Sequence, residues 1–150
     1  MNQEIERKYL VTSDCYKEMA VARYHIRQGY ISREKTGTVR VRITDDKAYL
    51  TIKGKPVAGH FARYEWEKEI DVKEAEELMK LCQGTIIDKT RWIVPATEEK
   101  LKWEVDEFHG KHDGLVVAEI ELESEDQVVV LPAFIGKEVT DDPQYYNANM

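Results

Sequence analysis

The chain has 150 residues and a formal net charge of −7, with 42% hydrophobic and 34% charged residues. That is the length of one domain with a core of its own, and the acidic balance excludes non-specific nucleic-acid binding, which needs a basic surplus. No apolar run approaches a membrane span and no signal-peptide pattern opens the chain, so neither nucleic acid nor membrane is an expected partner, and Cys15 and Cys82 read as free thiols of a cytoplasmic protein.

In chain order, the first strand signal is Glu4-Ile5-Glu6-Arg7-Lys8, whose alternation puts Glu4, Glu6 and Lys8 on one face. Ser13 or Asp14 caps a predicted helix running to about Ala22. Gln28–Ser32 is a short strand candidate. Thr38–Thr44 alternates Val39, Val41 and Ile43 with Arg40 and Arg42, and Asp45-Asp46 reads as a hairpin turn. Lys47–Gly54 sets Leu50 and Ile52 against Tyr49, Thr51 and Lys53. Arg63–Ile70 sets Tyr64 and Trp66 against Arg63, Glu65, Glu67 and Glu69. Val72–Gln83 has Ala75, Leu78, Met79 and Cys82 at helical spacing, with Gly84 as a stop.

The second half continues in the same style. Ile86–Val94 carries Lys89 and Arg91 on one face. Lys100–Phe108 sets Leu101, Trp103 and Val105 against Lys102, Glu104 and Asp106. Val117–Glu123 sets Ala118, Ile120 and Leu122 against Glu119, Glu121 and Glu123, of which Glu123 reads as solvated. Ser124–Leu131 is read as a short helix, and Asp142-Pro143 as the start of a last one carrying Tyr145 and Tyr146. His60, His109 and His112 fall in loops or turns and lack the third ligand of a zinc site. Trp66, Trp92 and Trp103 lie on the apolar faces, to be covered by helices or by a partner subunit, so a homodimer stays open.

Nearly every strand thus has one apolar face and one fully charged face. An antiparallel sheet with one face in water explains a single strand of this kind. It explains less well a series in which those positions are almost all Glu, Arg and Lys. If the sheet curls so that the charged faces look at one another, the lumen needs charge pairing, water or a ligand. Lys8, Arg40, Arg42, Lys53, Arg63, Lys89 and Arg91 are then candidates to grip an anion with several phosphates. Glu4, Glu6, Glu119 and Glu121 are candidates for a divalent cation, since hard cations take oxygen ligands.

These residues, in this order, resemble the CYTH domain, the triphosphate tunnel metalloenzymes. The match runs through Glu4-x-Glu6-x-Lys8, Gln28-Gly29-Tyr30, Arg40-x-Arg42, Thr51-x-Lys53, Arg63-x-Glu65-x-Glu67, Lys89-x-Arg91, Glu104-x-Asp106 and Glu119-x-Glu121. The ending Gly136-Lys137-Glu138-Val139-Thr140, with Tyr146 and Asn147, also fits, so residues 1–150 read as one CYTH-like domain. One departure is Phe134, where relatives more often carry tryptophan; it should fill the same packing role.

The resemblance implies a mainly β (α+β) fold, a closed eight-stranded antiparallel β-tunnel with a charged lumen and helices outside. It implies a small-molecule triphosphate substrate and Mg2+ or Mn2+. It adds Asp106 to Glu4, Glu6, Glu119 and Glu121 as a metal-ligand candidate, and Tyr30 as a tyrosine paired with Lys8, the two assisting proton transfer. Glu65 and Glu67 orient cations rather than bind metal. The short length without an inserted domain is most similar to bacterial inorganic triphosphatases, which hydrolyse tripolyphosphate to pyrophosphate and phosphate. The same tunnel also serves class IV adenylyl cyclases and thiamine triphosphatases, and a non-catalytic polyphosphate or nucleotide binder is the remaining alternative.

Overall fold

The computed structural model describes residues 5–34, 36–56 and 63–150, without the side chains of Pro56 and Arg63. Glu4 and His60 lie outside the described residues. Among those described, nine strands form one antiparallel sheet: β1 (Glu6–Val11), β2 (Ala22–Glu34), β3 (Gly37–Thr44), β4 (Lys47–Pro56), β5 (Arg63–Ile70), β6 (Gln83–Pro95), β7 (Lys102–Phe108), β8 (Val116–Glu121) and β9 (Ile135–Glu138). Their order across the sheet is β5-β4-β3-β2-β6-β7-β8-β1-β9. Two helices, α1 (Tyr16–Met19) and α2 (Val72–Met79), pack on the outside.

The sheet curls around one cavity. Side chains of eight of the strands, β9 being the exception, reach the same lumen. The charged faces therefore turn inward and the apolar faces outward, as the alternation demands. The ninth strand is β9, which joins β1 at the edge. No ladder joins β5 to β9 among the described residues, so the tunnel is a curled sheet rather than a hydrogen-bonded ring.

Two clusters hold the outer layer together. Tyr9, Val94, Trp103, Val105, Ala118 and Ile120 stand on the outer faces of β1, β6, β7 and β8, and Tyr16 of α1 and Phe134 cover them. Trp103 and Phe134 are both fully buried, and Phe134 meets the Tyr16 ring edge-on at 5.9 Å between centroids. Phe134 thus takes up the packing role expected of it. On the other side, Ala75 of α2 sits on Val41, Ile43 and Ala48. The helix ends bring Cys82 against β2, and a Cβ on Gly29 would come within 2.7 to 2.8 Å of Ile86 and Cys82. Gly29 is therefore required by close packing, not by its backbone angles.

The helices are shorter than their sequence patterns. α1 spans one turn before the chain enters β2 at Ala22, so the predicted start at Ser13 or Asp14 is too early and the predicted end too late. α2 begins where expected, with Asp71 Oδ1 accepting from the Lys73 N–H at 2.8 Å, but stops at Met79. Ser124–Leu131 is not helical. There Ser124 Oγ donates to Asp126, and the Gln127 side chain accepts from the Glu123 N–H, local bonds that compete with a helix. The Asp142-Pro143 start is present, as a single 3-10 turn with Asp142 as cap.

Of the three tryptophans, Trp103 is core and Trp92 lies under α1, close to Tyr16 and Lys17. Trp66 is 39% exposed on the edge strand β5. The inward row Glu65, Glu67, Glu69 on that strand discourages pairing with a second edge, since two such rows would face each other.

Glu107 ties α1 to the sheet from outside. Its carboxylate accepts from Tyr16 Oη at 2.7 Å and Trp92 Nε1 at 2.5 Å, and Lys17 Nζ lies 3.2 Å away. Burial opposes its ionisation, but these three donors hold its carboxyl below the ordinary 4.5. A carboxyl depressed on folding adds stability above its unfolded pKa and loses it as the pH falls through the folded value. Glu107→Gln is therefore expected to lower the melting temperature at pH 7 and to flatten its decline between pH 5 and about pH 3. Thermal unfolding followed by circular dichroism across that range checks this; an unchanged acid slope would show that Glu107 does not couple α1 to the sheet.

Candidate active site

The lumen is a cavity of about 770 Å³. Its wall is built by register. On the β2-to-β5 side, Tyr30, Arg40, Thr51 and Glu67 lie across from one another on successive strands. Thr51 Oγ1 donates to Glu67 at 2.7 Å, and Arg40 Nη2 donates to Thr51 at 3.4 Å with Glu67 3.9 Å away. Glu67 thus orients an arginine, the role given it from sequence. One rung along, Arg42 Nε donates to Gln28 Oε1 at 2.8 Å.

The facing wall is acidic. Glu6 lies across from Glu121, Lys8 from Glu119, and Glu104 from Glu119. Glu6 also lies close enough to Glu119 to affect its ionisation. Burial opposes ionisation of Glu119, yet Lys8, Arg91 and Lys89 together hold it well below the usual carboxylate range. Lys8 Nζ is 3.4 Å from Glu119 and donates to the Tyr145 carbonyl at 2.9 Å. Burial lowers the Lys8 pKa, but Glu119 and Glu6 more than restore it, and the net shift is upward.

Between the walls sits the tightest charge cluster. Asp106 is buried and accepts from Arg91 Nε at 2.8 Å and Arg91 Nη2 at 2.9 Å. Lys89 Nζ is 2.8 Å from Asp106 Oδ2, the oxygen that also accepts from Arg91 Nη2. Lys89 is fully buried, which pushes its ammonium down to about 7 against the pull of Asp106. Arg42 is likewise pushed down to about 9 by burial and by Arg40 and Arg91. Cations crowded enough to repel one another call for an anion. Arg40 Nε, buried without a hydrogen-bond partner, marks one place for its oxygens.

A model of the CYTH domain matches residues 2–146. The chain belongs to the CYTH family. Its relatives include an inorganic triphosphatase of Acetivibrio thermocellus, 46% identical over 151 residues that span 100% of this chain and 94% of the relative. An inorganic triphosphatase of Nitrosomonas europaea is 33% identical, over 96% of this chain and 93% of the relative. A solved inorganic triphosphatase structure superposes with a TM-score of 0.70 at 31% identity, covering 97% and 95% of the two chains. A protein of Pyrococcus horikoshii shares the fold alone, at 23% identity and a TM-score of 0.63 over 82% and 80%.

Within this CYTH lumen, the structure gathers Glu6, Lys8, Tyr30, Arg40, Arg42, Lys53, Lys89, Arg91, Glu119 and Glu121 around one cavity. Glu4 and the Arg63 side chain lie outside the description. Asp106 is engaged by Arg91 and Lys89 and balances their charge. Tyr30 lies under the Arg33 guanidinium, while Lys8 keeps company with Glu119, Tyr145 and the Tyr146 ring.

Three contributions were not read from the sequence, although Glu104 and Asn147 stand in the matched motifs. Asn147 Oδ1 accepts from Lys89 Nζ at 3.0 Å and from Gln28 Nε2 at 3.3 Å, which lays the C-terminal segment along the lumen. Glu104 accepts from Arg91 Nη1 at 3.1 Å. The charged faces of β1, β6, β7 and β8 also end in an apolar residue: Leu10, Ile87, Phe108 and Val117 meet Tyr145 and Met150 as a small apolar floor. The signal for that floor was in the sequence, as apolar residues in phase with the charged ones.

The donors suit a hard divalent cation: Glu6, Glu119 and Glu121 offer only oxygens, and Glu6 lies across from Glu121 on the neighbouring strand. Among the described residues, no three carboxylate, histidine or cysteine side chains converge as a finished cage, and Lys8 occupies the position beside Glu119.

Removing the counter-charge should be costly. Asp106→Ala leaves Lys89 and Arg91 buried without a carboxylate, and a loss of about 3–5 kcal/mol is expected. Urea denaturation measures it; a loss of under about 1 kcal/mol, the size of a surface pair, would mean that Asp106 does not carry the cluster.

Proposed function

We propose that the protein hydrolyses a triphosphate, with inorganic tripolyphosphate as the substrate and pyrophosphate and phosphate as products. The observation that carries this is a buried row of cations facing a wall of carboxylates across one lumen. An anion binder gains nothing from a second wall of like-charged Glu6, Glu119 and Glu121. A metal-assisted phosphoryl-transfer site needs both walls. The names of the two curated relatives, 46% and 33% identical along nearly the whole chain, support the same reaction.

In this reading Arg40, Arg42, Lys53 and Arg91 grip phosphate oxygens, and Lys89 and Lys8 add charge at the developing negative oxygens. Arg63 belongs with them by its place in β5. Asp106 and Glu104 hold Arg91 in place, and Glu67 does so for Arg40. Glu6, Glu119 and Glu121, with Glu4, would hold Mg2+ or Mn2+. The metal supplies charge neutralisation and a more acidic bound water. The chain's own contribution is a fixed, low-dielectric frame in which the phosphate chain replaces ion pairs the protein already makes. Two free cysteines and the lack, among the described residues, of a helix long and apolar enough to cross a membrane fit a cytoplasmic enzyme.

Phosphate release from tripolyphosphate, ATP and thiamine triphosphate, each with Mg2+, Mn2+ or EDTA, tests this. Tripolyphosphate should turn over fastest, and only with metal. Glu6→Ala and Glu121→Ala should each lose about 100-fold or more in rate while remaining folded. Cyclic AMP as the main product from ATP would replace hydrolysis by a cyclase, and a folded Glu121→Ala enzyme at full rate would refute the metal assignment.

A further inference from the structure

Strand β2 carries a bulge between Tyr30 and Ser32. Plain alternation from Gln28 and Tyr30 would turn Ser32 into the lumen and Arg33 out of it. The extra residue reverses this: Arg33 lies across from Thr38, and both line the cavity. Re-aiming a side chain is what bulges beside binding sites do.

Arg33 is held in place by its surroundings. Its guanidinium lies 5.4 Å from the centre of the Tyr30 ring. Gly84 has a φ of +72°, and a Cβ there would come within 2.6 Å of Arg33 Nη1. Glycine at that position therefore serves both the turn and the arginine. Yet Arg33 Nε is buried and has no hydrogen-bond partner. A guanidinium N–H cut off from water and from any acceptor is costly, and a small shift of the side chain toward an incoming anion would relieve that cost.

Arg33, Thr38, Lys53 and Glu65 lie across from one another on β2 to β5, with two positive charges and one negative in the set. All four line the cavity, and Glu34 beside Arg33 does too. Thr38 and Arg42 are four residues apart on β3, about 13 Å along the strand. Arg42 is the end whose charge is coupled to Arg91 and Asp106. The Arg33 rung is therefore the other end of the cation row, and it carries carboxylates of its own in Glu65 and Glu34.

We propose that Arg33 is a substrate-binding residue that takes the anionic group at the far end of the phosphate chain. It thereby favours a free terminal phosphate, with two ionisable oxygens, over the third phosphate of a nucleoside triphosphate, which carries one negative charge and an ester to an uncharged sugar. The proposal rests on the triphosphate reading above.

Calorimetric binding of tripolyphosphate and of ATP in EDTA, where nothing turns over, tests it. Arg33→Met keeps an unbranched stem over Tyr30 and removes the donors. It should weaken tripolyphosphate binding by about tenfold, the scale of one charge-assisted hydrogen bond, and ATP binding by under about threefold. Arg33→Lys, which keeps the charge but not the planar fork, should fall between wild type and Met for tripolyphosphate and carries the contrast if the Met variant does not fold. Unchanged tripolyphosphate affinity, or an equal loss for both ligands, overturns the proposal; a lower melting temperature with unchanged affinity shows Arg33 to be structural only. Phosphate release by the wild type with Mg2+ tests the parent reading separately. A wild type that binds tripolyphosphate and releases no phosphate sinks the hydrolase and leaves the Arg33 subsite standing.

Discussion

Everything in the lumen depends on how Asp106 is shared. One carboxylate, nearly sealed from water, answers both Lys89 and Arg91. Burying a charge is tolerable only when partners replace the lost water. Here both partners come from the neighbouring strand β6, and Arg91 is answered a second time by Glu104. Arg42, on β3, has its pKa lowered by burial first and then by Arg40 and Arg91. The protein thus folds around a dense set of opposed charges that it carries inside, with seven cationic side chains and seven glutamates among the described residues lining the cavity. The net charge of −7 does not reveal that set.

The outer layer makes such an interior affordable. Trp103, Phe134, Tyr16 and Ile120 form an apolar shell where a common barrel would have a wet surface. The lumen gives up the apolar filling of a small barrel, and the shell supplies the burial instead. α1 and α2 are short because they serve as covers: each needs only the few residues that reach the sheet.

Strand faces were legible in the sequence because period-2 alternation is a local property. Arg40, Arg42, Lys53, Lys89, Arg91, Glu119 and Glu121 all point where alternation sends them. What was not legible depends on contacts far along the chain. β9 is four residues long, contains Gly136, and forms only because β1 has a free edge to offer. Arg33 was missed since a bulge changes the phase of a strand without altering its composition. Asn147 was placed only as part of a family ending; its bond to Lys89 spans 58 positions and leaves no local trace. The helices were over-extended because apolar spacing continues past the point where tertiary packing stops paying for it. Asp106 was read by type, as an acid among acids, and its contacts with Lys89 and Arg91 were not foreseen.

Among the described residues no ladder joins β5 to β9, and this bears on how the protein holds its shape. In a hydrogen-bonded ring the bore is fixed by strand number and stagger. A curled sheet keeps its curvature through what its strands pack against, here the outer clusters and the ion pairs that run from strand to strand inside. A substitution that cuts one of those inner pairs therefore bears on the shape of the lumen as well as on its charge.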